Sequence, residues 1–361
     1  MIALPPDDEL LEDLELGWIS RSCDDKEIAL QKQNRVFFQI SGAGHEALLL
    51  GLARELRAGH DWFFPYYRDR ALLLGLGAEP EALLLQSVGA ATDPASGGRQ
   101  MPCHWSDPVR HVVSQTSATG SQCLPAVGCA EAGRYLCDHP TIGATAAADE
   151  ITYVSLGEGA TSQGEFWEAL NTATTLHLPV LFVVADNGWA ISVPAIQQHP
   201  APVSRLVAGF DGVEVVRIDG RDYAEVRRVA PEVVARLRRD RGPVVLHATV
   251  TRPYSHSAAD TQSKYRTPDD LADEARHDPL VLMEALALDR GLLDAAGVAE
   301  LRSRARATVD DAAARALAAA LPDPATVTHH VVALPAWPAR TPEDDRPAPA
   351  DGDGAEAPTM A

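Results

Sequence analysis

Features that would indicate a membrane span, a secretory signal or nucleic-acid binding are missing from this sequence of 361 residues. It has no apolar run long enough to cross a bilayer, and its start, Met1 to Glu9, lacks the basic and apolar segments of a signal peptide. Lysine and arginine number only 31 against 51 aspartates and glutamates, which gives a formal net charge of −20. Because the binding of nucleic-acid phosphates requires excess positive charge, we expect no nucleic-acid partner. The missing signal peptide and membrane span lead us to expect a cytoplasmic protein without a membrane partner.

The cysteines also lack the C-x-x-C spacing that is typical of metal-binding and redox motifs, and their number is odd. In a cytoplasmic protein such cysteines are expected to stay reduced. We therefore predict free and mostly buried thiols at Cys23, Cys103, Cys123, Cys129 and Cys137.

Helical spacing of apolar residues dominates the first part of the chain and returns near its end, and no internal repeat is visible. We predict an N-terminal helical extension over residues 1–40, with a helix from Glu9 to Leu30 and onward to Phe38. Further helical patterns cover residues 47–56, 72–76, 81–88 and 280–321, and a loop-rich segment covers residues 92–113.

Between these regions the pattern changes to short runs rich in β-branched residues, separated by helical patterns over residues 165–177 and 222–239. Strands that alternate with helices form a parallel sheet covered on both faces. The predicted fold class is therefore α/β, a parallel sheet with helices on both faces and helical N- and C-terminal extensions. The predicted strands are Ile151 to Leu156, Val180 to Val184, Val213 to Ile218 and Pro243 to Val250.

A chain of this length can form one large domain or two modest ones. We predict a single α/β domain over residues 41–330, which includes the C-terminal helices. The segment over residues 341–361 is rich in Pro, Ala, Asp and Gly and has no hydrophobic periodicity, so we predict a disordered tail there.

Two neighbouring predicted strands are each followed by a residue that can bind a hard cation. Gly157-Glu158-Gly159-Ala160 follows the first strand, and Asp186-Asn187 follows the next. Ligands of open parallel sheets bind outside the carboxyl ends of the strands, so these side chains are expected to converge. Mg²⁺ takes six oxygen ligands and usually shares them between carboxylates, phosphates and water. Glu158, the Asn187 amide oxygen and a backbone carbonyl near Trp189 would leave room for two diphosphate oxygens and a water.

Two other interpretations of this segment compete with a metal site. The glycines can form a tight turn between strand and helix without any ligand. A dinucleotide-binding fingerprint would place Asp186 on a ribose hydroxyl, but it needs a glycine where this chain has Ser162. The spacing thus argues against the dinucleotide, whereas the metal site and the plain turn both stay open.

At this point the chain resembles the thiamine-diphosphate enzymes, whose metal motif is Gly-Asp-Gly followed some two dozen residues later by Asn-Asn. More narrowly, it resembles the alpha subunit of the decarboxylating first component of 2-oxo acid dehydrogenase complexes, of the branched-chain 2-oxoisovalerate type. The resemblance implies the thiamine-diphosphate-binding fold. It is carried by Tyr66-Tyr67-Arg68, Gly98 to Pro102, Gln115 to Gly128, Glu158 to Pro194 and Arg252 to Arg266.

The resemblance implies a thiamine diphosphate site with a bound Mg²⁺. Tyr67 and Arg68 correspond to the pair that engages the cofactor, and Ser117 and Thr119 to residues that hold its aminopyrimidine. Further residues of the implied cofactor site are Gly157, Glu158, Gly159, Ala160, Asn187 and His256, with Glu158, Asn187 and the Trp189 carbonyl as the Mg²⁺ ligands.

Four residues correspond to the set that binds a structural K⁺ in branched-chain members of the family. Ala118 stands where those members have a proline, and Ser121 where they have a threonine. Since the proline contributes only a carbonyl, the K⁺ site and a plain Ser/Thr-rich loop both remain open. The set is Thr116, Ala118, Ser121 and Gln122.

His256 is the predicted catalytic residue, by resemblance the loop histidine that contacts the diphosphate and assists acyl transfer to lipoamide. A histidine can exchange a proton near neutral pH, which this transfer requires. Arg252, Asp260, Tyr265 and Arg266 are expected to order its loop by internal pairing. Two departures from the family are Asp186, in place of the first motif asparagine, and Ala185, where branched-chain relatives carry a diphosphate-binding arginine.

The implied function is oxidative decarboxylation of a 2-oxo acid, with acyl transfer to the lipoyl group of an acyltransferase component. In this family a separate beta subunit supplies the glutamate that activates the cofactor. We therefore expect an α2β2 heterotetramer and no activity from this chain alone. The Gly98 to Pro102 run and the His256 loop resemble branched-chain members of the family more than pyruvate ones, which implies a branched-chain 2-oxo acid. Pyruvate or acetoin dehydrogenase, or a catalytically silent scaffolding paralogue, are the alternatives.

Overall fold

The computed structural model describes residues 5–140 and 146–331. Of the described residues, those up to Pro322 form one compact unit, and residues 323–331 belong to a second one. The predicted disordered tail, residues 341–361, lies outside the described residues. None of the helices in the described ranges has the combined length and apolar composition needed to cross a membrane.

The elements of the described chain alternate as the sequence predicts. The helices are α1 (Asp7–Lys32), α2 (Glu46–Ala53), α3 (Arg70–Gly75), α4 (Pro80–Ser87), α5 (Cys123–Asp138), α6 (Gly164–Thr175), α7 (Ala195–Gln198), α8 (Val203–Val207), α9 (Tyr223–Asp240), α10 (Pro268–Arg276), α11 (Pro279–Asp289) and α12 (Ala295–Ala318). The strands are β1 (Trp62–Phe64), β2 (Thr152–Gly157), β3 (Val180–Asp186), β4 (Trp189–Ala190), β5 (Val193–Pro194), β6 (Glu214–Asp219) and β7 (Val244–Thr249).

The central sheet has five strands in the order β1-β2-β3-β7-β6, and all neighbouring pairs in it are parallel. In the middle strands nearly every residue is buried, which is why they read as unbroken apolar runs rather than as alternating patterns. β6 forms one edge and is largely half-buried. β4 and β5 form a separate two-stranded antiparallel ribbon.

Helices cover both faces of the sheet, which confirms the predicted α/β class. Successive side chains of a strand point to opposite faces. Leu181 and Val183 of β3 therefore pack with α2, α3 and α9, whereas Phe182 and Val184 pack with α5 and α6.

Several details differ from the sequence-based prediction. α1 ends at Lys32 instead of continuing to Phe38, because Asn34 adopts a left-handed conformation with φ of 55°. The helical pattern over residues 280–321 is divided between α11 and α12. The elements that the apolar pattern did not indicate are β1, β4, β5, α5, α7, α8 and α10.

The five cysteines are all free and three of them are buried, as predicted.

A buried ion network ties α1 to the loop that enters α2. The guanidinium of Arg70 contacts Asp24 Oδ1 at 3.0 Å and Glu27 Oε2 at 2.6 Å, and all three side chains are at most 1% exposed. Asp24 also accepts hydrogen bonds from the Ser41 hydroxyl at 2.7 Å and from the Gly42 backbone N–H at 3.1 Å. α1 thereby fixes the backbone of residues 41 and 42.

Replacing Arg70 with methionine is predicted to destabilise the chain by about 3–5 kcal/mol, because Asp24 and Glu27 would be left as uncompensated buried charges. Urea unfolding measures the change in the free energy of unfolding. The matched control is Arg315→Ala, since Arg315 pairs with Glu81 on the surface, where the two side chains are 59% and 37% exposed. The control is expected to lose less than about 1 kcal/mol. Equal losses in both variants would contradict this role of Arg70.

Candidate functional site

Most of the predicted site residues converge because they follow strands at the carboxyl edge of the sheet, the edge at which the parallel strands end, whereas Ser117 and Thr119 lie in the segment before α5. Tyr67 and Arg68 follow β1, Glu158 follows β2, Asn187 follows β3 and the loop with His256 follows β7. In an open parallel sheet this edge is where ligands bind.

One cavity of about 330 Å³ lies at this edge, and we call it the site cavity. Every residue predicted to hold the cofactor or the Mg²⁺ lines it. These residues are Tyr67, Arg68, Ser117, Thr119, Gly157, Glu158, Gly159, Ala160, Asn187, Trp189 and His256.

Glu158 is a buried carboxylate whose charge is only partly compensated. Its Oε2 accepts a hydrogen bond from the backbone N–H of Asn187 at 3.3 Å, whereas its Oε1 has no hydrogen-bond partner. Burial, together with the neighbouring Asp186 carboxylate, raises the pKa of Glu158 to about 7. A buried, unpaired carboxylate oxygen is costly unless a proton or a cation accompanies it. The position therefore fits a metal ion.

The remaining oxygens at this position are of the kind that Mg²⁺ binds. The Asn187 amide oxygen accepts the Trp189 N–H at 3.2 Å and retains a second lone pair. Among the described residues, no group of three or more His, Cys, Asp or Glu side chains could hold a metal ion by itself. A cation beside Glu158 would thus need amide, carbonyl and ligand oxygens as well, which is the usual Mg²⁺ arrangement.

Asp186, which replaces the first motif asparagine, has a partner of its own. Its Oδ2 accepts a hydrogen bond at 2.8 Å from Nε2 of the buried His247, whose Nδ1 accepts the Ser204 N–H at 3.2 Å. Its Oδ1 accepts the Gly188 N–H at 2.9 Å. Although burial works against ionisation, the hydrogen bond from His247 holds the pKa of Asp186 below its ordinary value. Asp186 therefore fixes the turn that carries Asn187.

The glycines of the motif are explained by close packing. A Cβ on Gly159 would lie 2.5 Å from the Ala190 Cβ, and one on Gly157 would lie 3.1 Å from the Tyr66 hydroxyl. Residues Glu158–Ser162 form a 3₁₀ turn, and α6 begins only at Gly164. The cavity is thus lined by this turn and not by the first residues of α6.

Arg68 is buried and contacts His256 directly. Its guanidinium donates to the Tyr66 hydroxyl at 3.2 Å, to the Ser41 carbonyl, and to His256 at both the backbone carbonyl (3.2 Å) and Nδ1 (3.0 Å). Because a guanidinium only donates, Nδ1 of His256 must accept, and the ring proton is assigned to Nε2. The Tyr67 ring lies edge-on to His256, with 6.1 Å between the ring centroids.

The imidazole of His256 is held neutral at pH 7. Burial, followed by the charges of Arg68 and Arg252, lowers its pKa to about 4. The predicted internal pairing of the loop is confirmed. Asp260 accepts the His256 N–H at 2.8 Å and the Tyr265 hydroxyl at 2.5 Å, and Arg266 donates to the Arg252 carbonyl at 3.0 Å.

The four residues predicted for a K⁺ site lie in the turn before α5, and the structure does not place them in the lining of the site cavity. The Ala118 carbonyl accepts the Ser121 hydroxyl at 2.6 Å, and the Thr116 hydroxyl accepts the Ala118 N–H at 3.2 Å. The Gln122 side chain joins this turn to β2, since its Nε2 donates to the Ser155 carbonyl at 2.9 Å.

Sequence reasoning did not assign several residues that line the site cavity. His104 is the histidine among them, and it lies only two residues beyond the quoted Gly98 to Pro102 motif. The position of His104 next to that motif was the available sign in the sequence that it belongs to the site. The contact of its ring with the Ser117 hydroxyl cannot be inferred from the spacing of residues along the chain. The unassigned lining residues are Phe38, Ile40, Tyr66, Met101, His104, Ala190 and Ile191.

Comparison with known proteins gives a consistent result over most of the chain. Residues 15–325 match the family described as dehydrogenase E1 component. The chain is 33% identical over 276 residues to the 2-oxoisovalerate dehydrogenase subunit alpha of Bacillus subtilis, covering 76% of this chain and 80% of that protein. It is 32% identical over 289 residues to the 3-methyl-2-oxobutanoate dehydrogenase subunit alpha of Mycobacterium tuberculosis, covering 80% and 72% of the two chains. The mitochondrial 2-oxoisovalerate dehydrogenase subunit alpha of Mus musculus is 30% identical over 297 residues, covering 81% and 64%.

The lowered pKa of His256 predicts that its contribution to the free energy of unfolding depends on pH. The unfolded chain binds a proton at this residue below about 6.5, whereas the folded chain does so only near 4. The contribution of His256 to the free energy of unfolding is therefore lost as the pH falls from 6.5 towards 4. Urea unfolding of the ligand-free chain and of His256→Gln at several pH values isolates this contribution. The difference between the two should shrink as the pH falls; a difference that stays constant would show that His256 is not held neutral.

Proposed function

The chain belongs to the dehydrogenase E1 component family, and on that premise we propose that it is the alpha subunit of a branched-chain 2-oxo acid dehydrogenase. The proposed enzyme oxidatively decarboxylates a 2-oxoisovalerate-like acid and transfers the acyl group to the lipoyl group of an acyltransferase component. The observation that carries the proposal is the buried Glu158 carboxylate with its unpaired Oε1, which shares the site cavity with Asn187, Arg68 and His256. The names of the relatives, at 30–33% identity, support the branched-chain substrate.

We propose that the site cavity holds the diphosphate half of thiamine diphosphate together with Mg²⁺. Glu158, the Asn187 amide oxygen and the Trp189 carbonyl would bind the metal ion. Arg68 offers a fork of N–H donors that suits diphosphate oxygens. Gly157, Gly159 and Ala160 keep the surface of the turn free of bulky side chains, and Ser117 and Thr119 would contact the aminopyrimidine.

When bound, the cofactor would supply a nucleophilic thiazolium carbon and a ring that acts as the electron sink for the decarboxylation of the 2-oxo acid. The residues of this chain bind and orient it. Arg68 and the metal ion would neutralise the diphosphate, and the burial of Arg68 strengthens that attraction by excluding water. His256 is neutral near pH 7, so it can accept a proton at Nδ1 when Arg68 turns to the diphosphate, and only the ring protonated in this way could then release its Nε2 proton during transfer to the lipoyl group.

A separate beta subunit completes the proposed enzyme, as the names of the relatives, subunits alpha, suggest. The site cavity contains Glu158 as a metal ligand, but the glutamate that activates the aminopyrimidine is expected from the beta subunit. We infer an α2β2 heterotetramer that delivers its product to a lipoyl-bearing acyltransferase component.

The proposed position for K⁺ is the turn before α5. Thr116, Ala118, Ser121 and Gln122 present hydroxyl, carbonyl and amide oxygens within seven consecutive residues. Their mutual hydrogen bonds are of the kind that a bound cation replaces, and they also suffice for a plain Ser/Thr-rich turn. Calorimetric titration of the cofactor in K⁺ and in Na⁺ buffers distinguishes the two cases, since only a K⁺ site makes the affinity depend on the ion.

Glu158→Ala and Asn187→Ala are predicted to weaken the binding of Mg²⁺ and thiamine diphosphate by at least about tenfold, because each removes an oxygen ligand. Calorimetry on the chain assembled with its beta subunit measures both affinities. Without ligand, Glu158→Ala should be as stable as the wild type or more stable, since it removes an uncompensated buried charge.

The matched control for these two variants is Glu168→Ala, which removes an exposed carboxylate from the helix that follows Glu158. It should bind both ligands as the wild type does. Unchanged cofactor affinity in the Glu158 and Asn187 variants would remove both residues from the proposed metal site.

The purified chain alone is predicted not to turn over any 2-oxo acid, whereas coexpression with the beta chain should give decarboxylation. The measurement is carbon dioxide release from a panel containing 3-methyl-2-oxobutanoate and pyruvate, with acetoin turnover followed separately. Branched-chain acids are expected to give the highest kcat/KM. Substantial turnover without a partner contradicts the need for a beta subunit. A preference for pyruvate or acetoin corrects the substrate, and an inactive pair that binds cofactor supports the scaffolding alternative.

A further inference from the structure

We propose that His104 is a positioning residue of the site cavity. It accepts a hydrogen bond from the Ser117 hydroxyl, so that the Ser117 oxygen faces the cofactor as a hydrogen-bond acceptor for the amino group of the aminopyrimidine. The inference rests on the proposed function, because it concerns the same cofactor. It assigns a role to a histidine that the motifs of the sequence did not reach.

The two ring nitrogens of His104 have different partners, and these determine the direction of the hydrogen bonds. Nδ1 lies 3.1 Å from the Pro102 carbonyl oxygen, and Nε2 lies 2.7 Å from the Ser117 hydroxyl. A carbonyl oxygen only accepts, so Nδ1 must carry the proton. In the neutral ring Nε2 is then an acceptor, and Ser117 must be the donor.

The main chain around His104 is fixed from several sides. The preceding residue, Cys103, is buried and has a left-handed φ of 63°, a strained conformation that persists only where surrounding contacts enforce it. The side-chain amide of Gln86 donates to the His104 carbonyl at 2.6 Å. The indole of Trp105 donates to the Tyr66 carbonyl at 3.2 Å, which joins this segment to the loop that carries Arg68.

This rigidity matters because a serine hydroxyl can otherwise rotate and act as donor or acceptor. His104 is 5% exposed, whereas Ser117 is exposed, and both residues line the site cavity. With its only proton committed to His104, Ser117 has lone pairs alone to offer to a ligand. An amino group, which donates, is thus preferred over a group that only accepts.

The test compares thiamine diphosphate with oxythiamine diphosphate, in which an oxygen replaces the amino group of the pyrimidine. Calorimetry with Mg²⁺ on the chain assembled with its beta subunit gives both dissociation constants. The wild type should prefer the amino cofactor, and His104→Leu should lose about fivefold of that preference, the contribution of one neutral hydrogen bond. His104→Gln keeps an acceptor for Ser117 and should retain most of the preference.

Two further variants separate positioning from a merely structural role. Ser117→Ala should lose the same preference as His104→Leu, and the double variant should lose no more than either one alone. His60→Leu is the control, since His60 pairs with Asp149 at 2.9 Å outside the site cavity. It should leave both affinities unchanged.

The outcomes that overturn the inference are distinct from those that overturn the proposed function. If His104→Leu weakens both cofactors equally, or if its effect adds to that of Ser117→Ala, His104 does not act through the Ser117 hydroxyl. Should His104→Leu fail to fold, the comparison of wild type, His104→Gln and Ser117→Ala decides the same point. If the assembled wild type binds neither cofactor, the proposed function and this inference both fail.

Discussion

A buried carboxylate oxygen without a hydrogen-bond partner, Oε1 of Glu158, is the constraint that gives the site its chemical character. The parallel sheet creates it, because Glu158 follows a strand that is buried on both faces and the Asp186 carboxylate ends the next strand. Burial, and after it the charge of the Asp186 carboxylate, raise the free energy of the ionised Glu158, which its raised pKa expresses. A proton or a cation relieves this cost, and the proposed Mg²⁺ with its anionic ligand would be such a cation.

The site also depends on α1, because a buried network of ion pairs and hydrogen bonds joins this helix to Arg68. Asp24 and Glu27 of α1 are paired with the buried Arg70, and Asp24 fixes the backbone at Ser41, whose carbonyl accepts from Arg68. The guanidinium that is proposed to bind diphosphate is thus oriented by a buried network that reaches back to the first helix. Buried ion pairs contribute little net stability on average, but the geometry they impose is specific. Here that geometry sets the position of Arg68 opposite His256.

The sequence predicts well those parts of the fold in which burial alone decides the structure. β3 and β7 read as apolar runs because both of their faces are covered, and their ends place Asn187 and His256. Some local features of the chain were predicted wrongly, and others were not predicted at all. The helical pattern before Phe38 gave no sign that Asn34 would turn left-handed, and β1 is a strand of only three residues whose partner β2 lies far along the chain. The contact of Asp186 with His247, 61 residues apart, forms only when the sheet is complete, so it cannot be predicted from the local spacing of residues.

The most direct measurement of the central claim replaces Mg²⁺ with Mn²⁺ and records electron–nuclear double resonance on the chain assembled with its beta subunit and thiamine diphosphate. If Glu158 and Asn187 hold the metal ion beside the diphosphate, the Mn²⁺ signal should show ³¹P couplings of directly coordinated phosphate oxygens. Those couplings should disappear in Glu158→Ala at the same metal and cofactor concentrations. A Mn²⁺ signal without ³¹P coupling in the wild type, or with the same coupling in Glu158→Ala, would contradict the claim that this carboxylate anchors the cofactor.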